Sequence, residues 1–176
     1  TYDLFHVVSE IGFRAIDLWV GHLHYTWDFN RHIKKKKKML DRYNFEVVSY
    51  AGGFGESLEA FEKACILCHE LDIPVLGGIA PLISSDKQGL VRLLEKYDIQ
   101  LAFENHPEKT PNELINKIGT SYQDYIGVTL DTGWFCYNGF DSAEAIYKLS
   151  DRIKHIHLKD ILELNTHKCC ELGKGI

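Results

Sequence analysis

Leu101-Ala-Phe-Glu-Asn-His106 is a brief apolar run that ends in side chains able to ligate a metal, and its reading decides the fold. Val128-Thr-Leu-Asp-Thr-Gly133 and Ile153-Lys-His-Ile-His-Leu-Lys-Asp160 repeat its form. The three begin about 27 residues apart with a helix-like segment in each gap, the spacing by which a parallel β/α barrel gathers distant residues at one end of its strands. Glu104, Asp131 and His157 are therefore expected to belong to one site.

Outward from these stretches the pattern continues. Apolar runs Ala15-Ile-Asp-Leu-Trp-Val20, Phe45-Glu-Val-Val-Ser-Tyr50 and Pro74-Val-Leu-Gly77 precede them, and the six segments begin near Arg14, Phe45, Ile73, Ile99, Ile126 and Ile153, 26 to 31 residues apart. Strands alternating with helices at this interval indicate βα units and a parallel sheet. The gaps carry helical periodicity: Leu58 to Leu71 with Ser57 as cap, Asp86 to Tyr97, a helix opening at Pro111, and Ser142 to Leu149 capped by Asp141 or Ser142. Leu4, Phe5, Val7, Val8 and Ile11 predict a first helix that ends at Gly12. The expected fold is α/β, one TIM (β/α)8-type barrel domain over residues 1–176. It is incomplete, since six strands are counted and a first strand and last βα unit are expected outside this chain. An open α/β sheet is the alternative.

Strand side chains alternate between the barrel interior and the helices. Gln100, Ala102, Glu104 and His106 share one parity against Leu101 and Phe103. Gly127, Thr129 and Asp131 oppose Ile126, Val128 and Leu130, while His155, His157 and Lys159 oppose Ile156 and Leu158. The polar and small set is thus assigned to the interior and mouth, where charged groups need a partner or a metal. Two carboxylates and an imidazole suit a divalent cation: Mg²⁺ or Mn²⁺ from the oxygens, Zn²⁺, Co²⁺ or Fe²⁺ from the nitrogen. Such an ion would polarise a carbonyl and leave open positions for substrate or water. Read structurally instead, Glu104 would pair with a lysine such as Lys159, Asp131 would cap the turn before Gly133, and His157 would be a satisfied core histidine.

With 176 residues, 45% of them hydrophobic, the chain can build one core. A net charge of −5 does not favour a generic polyanion binder, so no nucleic acid partner is expected. No apolar stretch approaches the ~20 residues of a membrane span. No signal-peptide pattern is read at Thr1-Tyr2-Asp3. Five cysteines, an odd number without framework spacing, point to a reducing, cytoplasmic setting. Cys65 and Cys68 read as core residues of a helix, and Lys34 to Lys38 as a solvated helix surface.

Phe103-Glu-Asn-His106, Leu130-Asp-Thr-Gly133, His155-Ile-His-Leu-Lys-Asp160 and Leu172-Gly-Lys-Gly-Ile176 resemble the serial motifs of the xylose-isomerase-like TIM-barrel superfamily, the sugar phosphate isomerase/epimerase family. Glu10-Ile-Gly-Phe-Arg-Ala-Ile-Asp-Leu18 resembles its passage from helix one to strand two. The resemblance implies that Glu104, Asp131 and His157 are metal ligands, with Glu104 also a catalytic candidate. It further implies a last-strand glutamate that acts in proton transfer, which no residue here matches. Trp134 stands where many members carry a histidine. His106 and Lys159 match positions that often face substrate, and Trp134, His22 and His24 are added as substrate-binding candidates.

The implied activity is a divalent-metal-dependent sugar or sugar-phosphate isomerase or epimerase, with a homo-oligomer as the further partner. The alternatives are an inosose-dehydratase-like lyase, a catalytically inactive barrel acting as a binding module, and an endonuclease IV-like enzyme. The last would need more metal ligands and a basic groove.

Overall fold

The computed structural model describes residues 2–176. Thr1, where the reading of the amino terminus began, lies outside them. The chain runs α1 (Tyr2–Ile11), β1 (Ala15–Trp19), a π-helical turn at Phe29–Ile33 leading into α2 (Lys34–Tyr43), β2 (Glu46–Gly53), α3 (Leu58–Glu70) and β3 (Val75–Ile79). It continues through α4 (Leu82–Ser85), α5 (Lys87–Tyr97), β4 (Gln100–Glu104), α6 (Pro111–Ile118), β5 (Ile126–Asp131), α7 (Thr132–Tyr137), α8 (Ser142–Leu149) and β6 (Ile153–His157), then the small pair β7 (Asp160–Ile161) and β8 (Cys169–Cys170).

Strands β1 to β6 pair in chain order, each parallel to the next. The sheet curls until its two edges meet through side chains. Asp17 on β1 touches His157 on β6, and Ser49 on β2 touches His155. This is an incomplete TIM barrel with its helices on the outside.

Local sequence explains most boundaries. Ser57, Asp86, Thr110 and Asp141 each accept a hydrogen bond from a backbone N–H in the first turn of the helix that follows, the ordinary capping arrangement. Pro111 occupies the first turn of α6, where its missing N–H has no consequence. Gly12 ends α1 at φ +103°, a conformation that a side chain would strain.

The core lies between sheet and helices. Leu18, Leu76, Leu101, Phe103, Val128 and Leu130 point outward from the strands and are buried under helix residues such as Phe61, Leu67, Leu90 and Leu114. Cys65 and Cys68 are fully buried in that layer, and burial pushes the Cys65 thiol up to about 12. Fully buried Tyr50 donates to the Leu23 carbonyl at 2.6 Å, which ties the loop after β1 to β2.

The lysine run departs from the expected solvated surface. Lys36 is buried with its ammonium 5.2 Å from the Phe5 ring centre, and burial lowers its pKa. Lys37 donates to the Glu70 carbonyl and pairs with Asp72. Two of the five lysines therefore fasten α2 to its neighbours. Among the described residues no helix is long and apolar enough to cross a membrane.

Candidate metal centre

Glu104, Asp131 and His157 are the last residues of β4, β5 and β6. Parallel pairing puts Glu104 beside Thr129 and Asp131 beside His157, so the three side chains emerge at one end of the curled sheet. Their ligand atoms all lie within 4.8 Å of one another. His157 Nδ1 is 3.0 Å from Glu104 Oε1 and 3.8 Å from Asp131 Oδ2.

The backbone under them is fixed by polar side chains. Buried Asn105 donates from Nδ2 to the Asp131 carbonyl at 3.0 Å and accepts the Asp131 N–H at 2.7 Å. This two-bond clamp locks the ends of β4 and β5 together. The Thr132 hydroxyl donates to the Lys159 carbonyl and accepts the Lys159 N–H, which sets the exit from β6.

Asp131, fully buried, does two jobs. Its Oδ1 caps α7 by accepting the Trp134 N–H at 3.2 Å, while its Oδ2 pairs with Lys159 Nζ at 2.5 Å. The capping role that the sequence offered as a structural alternative is thus real and coexists with the cluster. Lys159 pairs with Asp131 rather than with Glu104.

Two participants were not singled out from the sequence. Asp17 Oδ2 lies 3.1 Å from His157 Nε2 and 3.4 Å from His155 Nε2. Ser49 Oγ donates to Asp17 Oδ1 and lies 3.2 Å from His155 Nε2. Asp17, His155 and His157 make a second group whose ligand atoms lie within 4.8 Å, and His157 is common to both groups. The usable signal was strand parity: Asp17 alternates with Ile16 and Leu18 just as Glu104 alternates with Phe103.

The remaining candidates sit farther out. His106 packs against Trp134 at 3.9 Å between ring centres, next to the cluster in sequence and strand order. His22 meets the Trp19 ring edge-on, and His24 stacks on Tyr25 with its Nδ1 2.9 Å from Thr26 Oγ1. Neither belongs to the groups of metal-ligating type found among the described residues. His167 stacks on Tyr137 and, with Cys169 and Cys170, forms no such group.

Charge balance in the cluster follows from these distances. Hydrogen bonds to Asp17 and then to Glu104 raise the His157 imidazolium from 6.5 to about 9, against the opposing effect of burial. Burial, the largest single effect, would raise Glu104, but the His157 hydrogen bond together with the nearby positive charges of His157, Lys159 and His106 overcomes it and holds the carboxyl below its ordinary 4.5. In Asp17 burial is likewise overcome, by hydrogen bonds from His155, His157 and Ser49, and the carboxyl lies far below the usual carboxylate range.

Proton linkage makes the stability of the metal-free protein depend on pH. The His157 contribution to stability is complete below pH 6.5 and is lost as pH rises through about 9, because the unfolded chain releases that proton first. Its size is on the order of 3 kcal/mol. The carboxylate contributions are present above 4.5 and fade as pH falls further. Chemical denaturation in EDTA should therefore show stability falling between pH 6.5 and 9. His157→Gln should flatten that slope; an equally steep slope in the variant would place its cause elsewhere.

The profile of one protein family, described as xylose isomerase-like TIM barrel, matches residues 5–176. An inosose dehydratase of Clostridium beijerinckii is 26% identical over 102 residues, covering 52% of this chain and 34% of that protein. An inosose dehydratase of Mesomycoplasma hyopneumoniae is 24% identical over 166 residues, covering 76% of this chain and 55% of that protein. The chain thus spans about half, or less, of the length of the curated relatives it matches. The crystal structure of a D-tagatose 3-epimerase-like protein superposes with a TM-score of 0.75 at 22% identity, covering 97% of this chain and 76% of that one, a likeness of fold.

Proposed function

This chain belongs to the xylose isomerase-like TIM-barrel family, and on that premise we propose that it is a divalent-metal-dependent enzyme acting on a small sugar or sugar phosphate, an isomerase or epimerase that moves a proton beside a carbonyl. The observation that carries this reading is the convergence of Glu104, Asp131 and His157 from three strand ends to within 4.8 Å. Their donor set fits the ion: two carboxylates supply hard oxygen ligands for Mg²⁺ or Mn²⁺, and the imidazole admits Co²⁺ or Zn²⁺. When bound, a divalent cation draws charge from a substrate carbonyl oxygen and so acidifies the neighbouring C–H.

The chain's own groups supply the rest. Glu104, a carboxylate hydrogen-bonded to His157 and ionised at neutral pH, would accept the substrate proton and return it. Lys159, which neutralises Asp131, can turn its ammonium to a substrate oxygen once Asp131 faces a cation instead. His106 and Trp134 form an aromatic wall beside the mouth, suited to the C–H face of a sugar. The five cysteines are free thiols, in keeping with a cytoplasmic setting.

A second reading is favoured by the names of the two curated relatives: the same proton abstraction followed by loss of water, as in an inosose dehydratase. Incubation with Mn²⁺ in D₂O, using ketoses, ketose phosphates and inososes, separates the two. Deuterium beside the carbonyl with an aldose or epimer as product supports the isomerase. A conjugated enone formed from an inosose supports the lyase. Absence of any aldose, epimer or enone product, with no deuterium in any substrate, overturns both and leaves a binding module.

A further inference from the structure

We propose that Asp17 is a positioning residue of the metal centre, one that selects which nitrogen of His157 faces the cation. The inference rests on the reading of Glu104, Asp131 and His157 as the ligand set. It concerns a contact between the two edge strands of the sheet, β1 and β6, made by residues 140 positions apart.

A neutral imidazole carries one N–H and one lone pair, and only the lone pair can ligate an ion. In His157 the two nitrogens face different partners. Nδ1 points to the carboxylates of Glu104 and Asp131, at 3.0 and 3.8 Å. Nε2 points to Asp17 Oδ2 at 3.1 Å. An ionised carboxylate can only accept, so Asp17 holds the proton on Nε2 and leaves the Nδ1 lone pair for the cation. A carboxylate behind a ligating histidine fixes the ring and makes it a better donor.

Asp17 is itself held in place. Ser49, fully buried and so without access to water, donates its hydroxyl to Asp17 Oδ1. That bond leaves Oδ2 for the two imidazoles.

Asp17, His155 and His157 could in principle bind a cation themselves through Nε2 of His157, with the proton on Nδ1. Two observations favour the Nδ1 side. It holds two carboxylates against one, so it offers a cation more opposite charge. Asp17 also has one oxygen already committed to Ser49.

The test is long-range ¹H–¹⁵N correlation on the Zn²⁺-loaded, histidine-labelled chain, together with Zn²⁺ titration. His157 is expected to show Nε2 protonated and Nδ1 metal-shifted. Asp17→Asn, which keeps an acceptor oxygen, should retain that tautomer with a few-fold loss of affinity. Asp17→Ala should mix the tautomers and weaken Zn²⁺ binding by about 10- to 100-fold. Ser49→Ala, which touches no proposed ligand, should shift binding in the same direction by less. Metal on Nε2, or wild-type tautomer and affinity in a folded Asp17→Ala, overturns the proposal; if Asp17→Ala does not fold, Asp17→Asn with the metal on Nε2 does so. Should the Glu104→Gln/Asp131→Asn variant bind Zn²⁺ as wild type does, the ligand assignment itself has failed. Loss of Zn²⁺ in that double variant with none in Asp17→Ala sinks only the role of Asp17.

Discussion

Replacing Glu104 by Gln and Asp131 by Asn together is expected to remove Mn²⁺ binding, with affinity at least about 10³-fold below that of the wild type. The substitutions keep shape and take away two negative charges from a cluster whose ligand atoms lie within 4.8 Å. A pair of unit charges about 4 Å apart near a protein surface interacts by about 4 kcal/mol, and each 1.4 kcal/mol is tenfold in affinity. The fold should survive. An asparagine at 131 can still cap α7 through its side-chain oxygen, and the clamp from Asn105 uses only the backbone of residue 131. Lys159 would lose its partner but is half-exposed and can turn to water. Isothermal titration with Mn²⁺ reads the result directly; retention of wild-type affinity in the double variant would remove Glu104 and Asp131 from the ligand set and refute the three-residue site.

Gly78→Ala should cost about 3 kcal/mol of stability, the upper end for an added methyl in a packed interior. A Cβ at Gly78 would lie 1.9 Å from the carbonyl oxygen of Gly52 and 2.9 Å from its carbon. Both obstacles are backbone, and Gly52 is the register partner of Gly78, so the clash can be relieved only by parting β2 from β3. Gly53 is the control. A Cβ there meets nothing within 4 Å, and Gly53→Ala should stay within about 0.5 kcal/mol of the wild type. Urea denaturation of the two variants decides the matter. An equal stability loss in both would show that the approach of Gly78 to Gly52 is not the cause.

The parts of this architecture that were legible in the sequence are the periodic ones. Runs beginning every 26 to 31 residues became six parallel strands in chain order, and strand parity assigned Glu104, Asp131 and His157 to one end of the sheet. Capping residues marked α3 and α8, and Pro111 in the first turn marked α6, because such signals act within one helical turn.

What escaped notice depends on closure. Asp17 reaches His157 only because the sheet curls until its edges meet, and neither residue carries a local trace of the other. Ser49 and Asn105 act through single hydrogen bonds or clamps whose partners lie on other strands. Helices α4 and α7 are too short to show a period. The Leu172-Gly-Lys-Gly-Ile176 motif gained its structural meaning from Asp160, whose carboxylate accepts the N–H groups of Gly173 and Gly175. Gly175 must be glycine in this arrangement, since a Cβ there would lie 2.1 Å from Asp160 Oδ1. Lys36 misled for a different reason: a lysine run looks solvated from composition alone, yet a long aliphatic stem can be buried wherever an aromatic face such as Phe5 accepts its head group.

The most direct test of a shared cation is anomalous diffraction from a crystal of this chain soaked in Mn²⁺. One strong peak within ligand distance of Glu104, Asp131 and His157 Nδ1 is the expected result. A peak seated instead between Asp17, His155 and His157 Nε2, or no peak at the strand ends while Mn²⁺ is bound elsewhere, would contradict it.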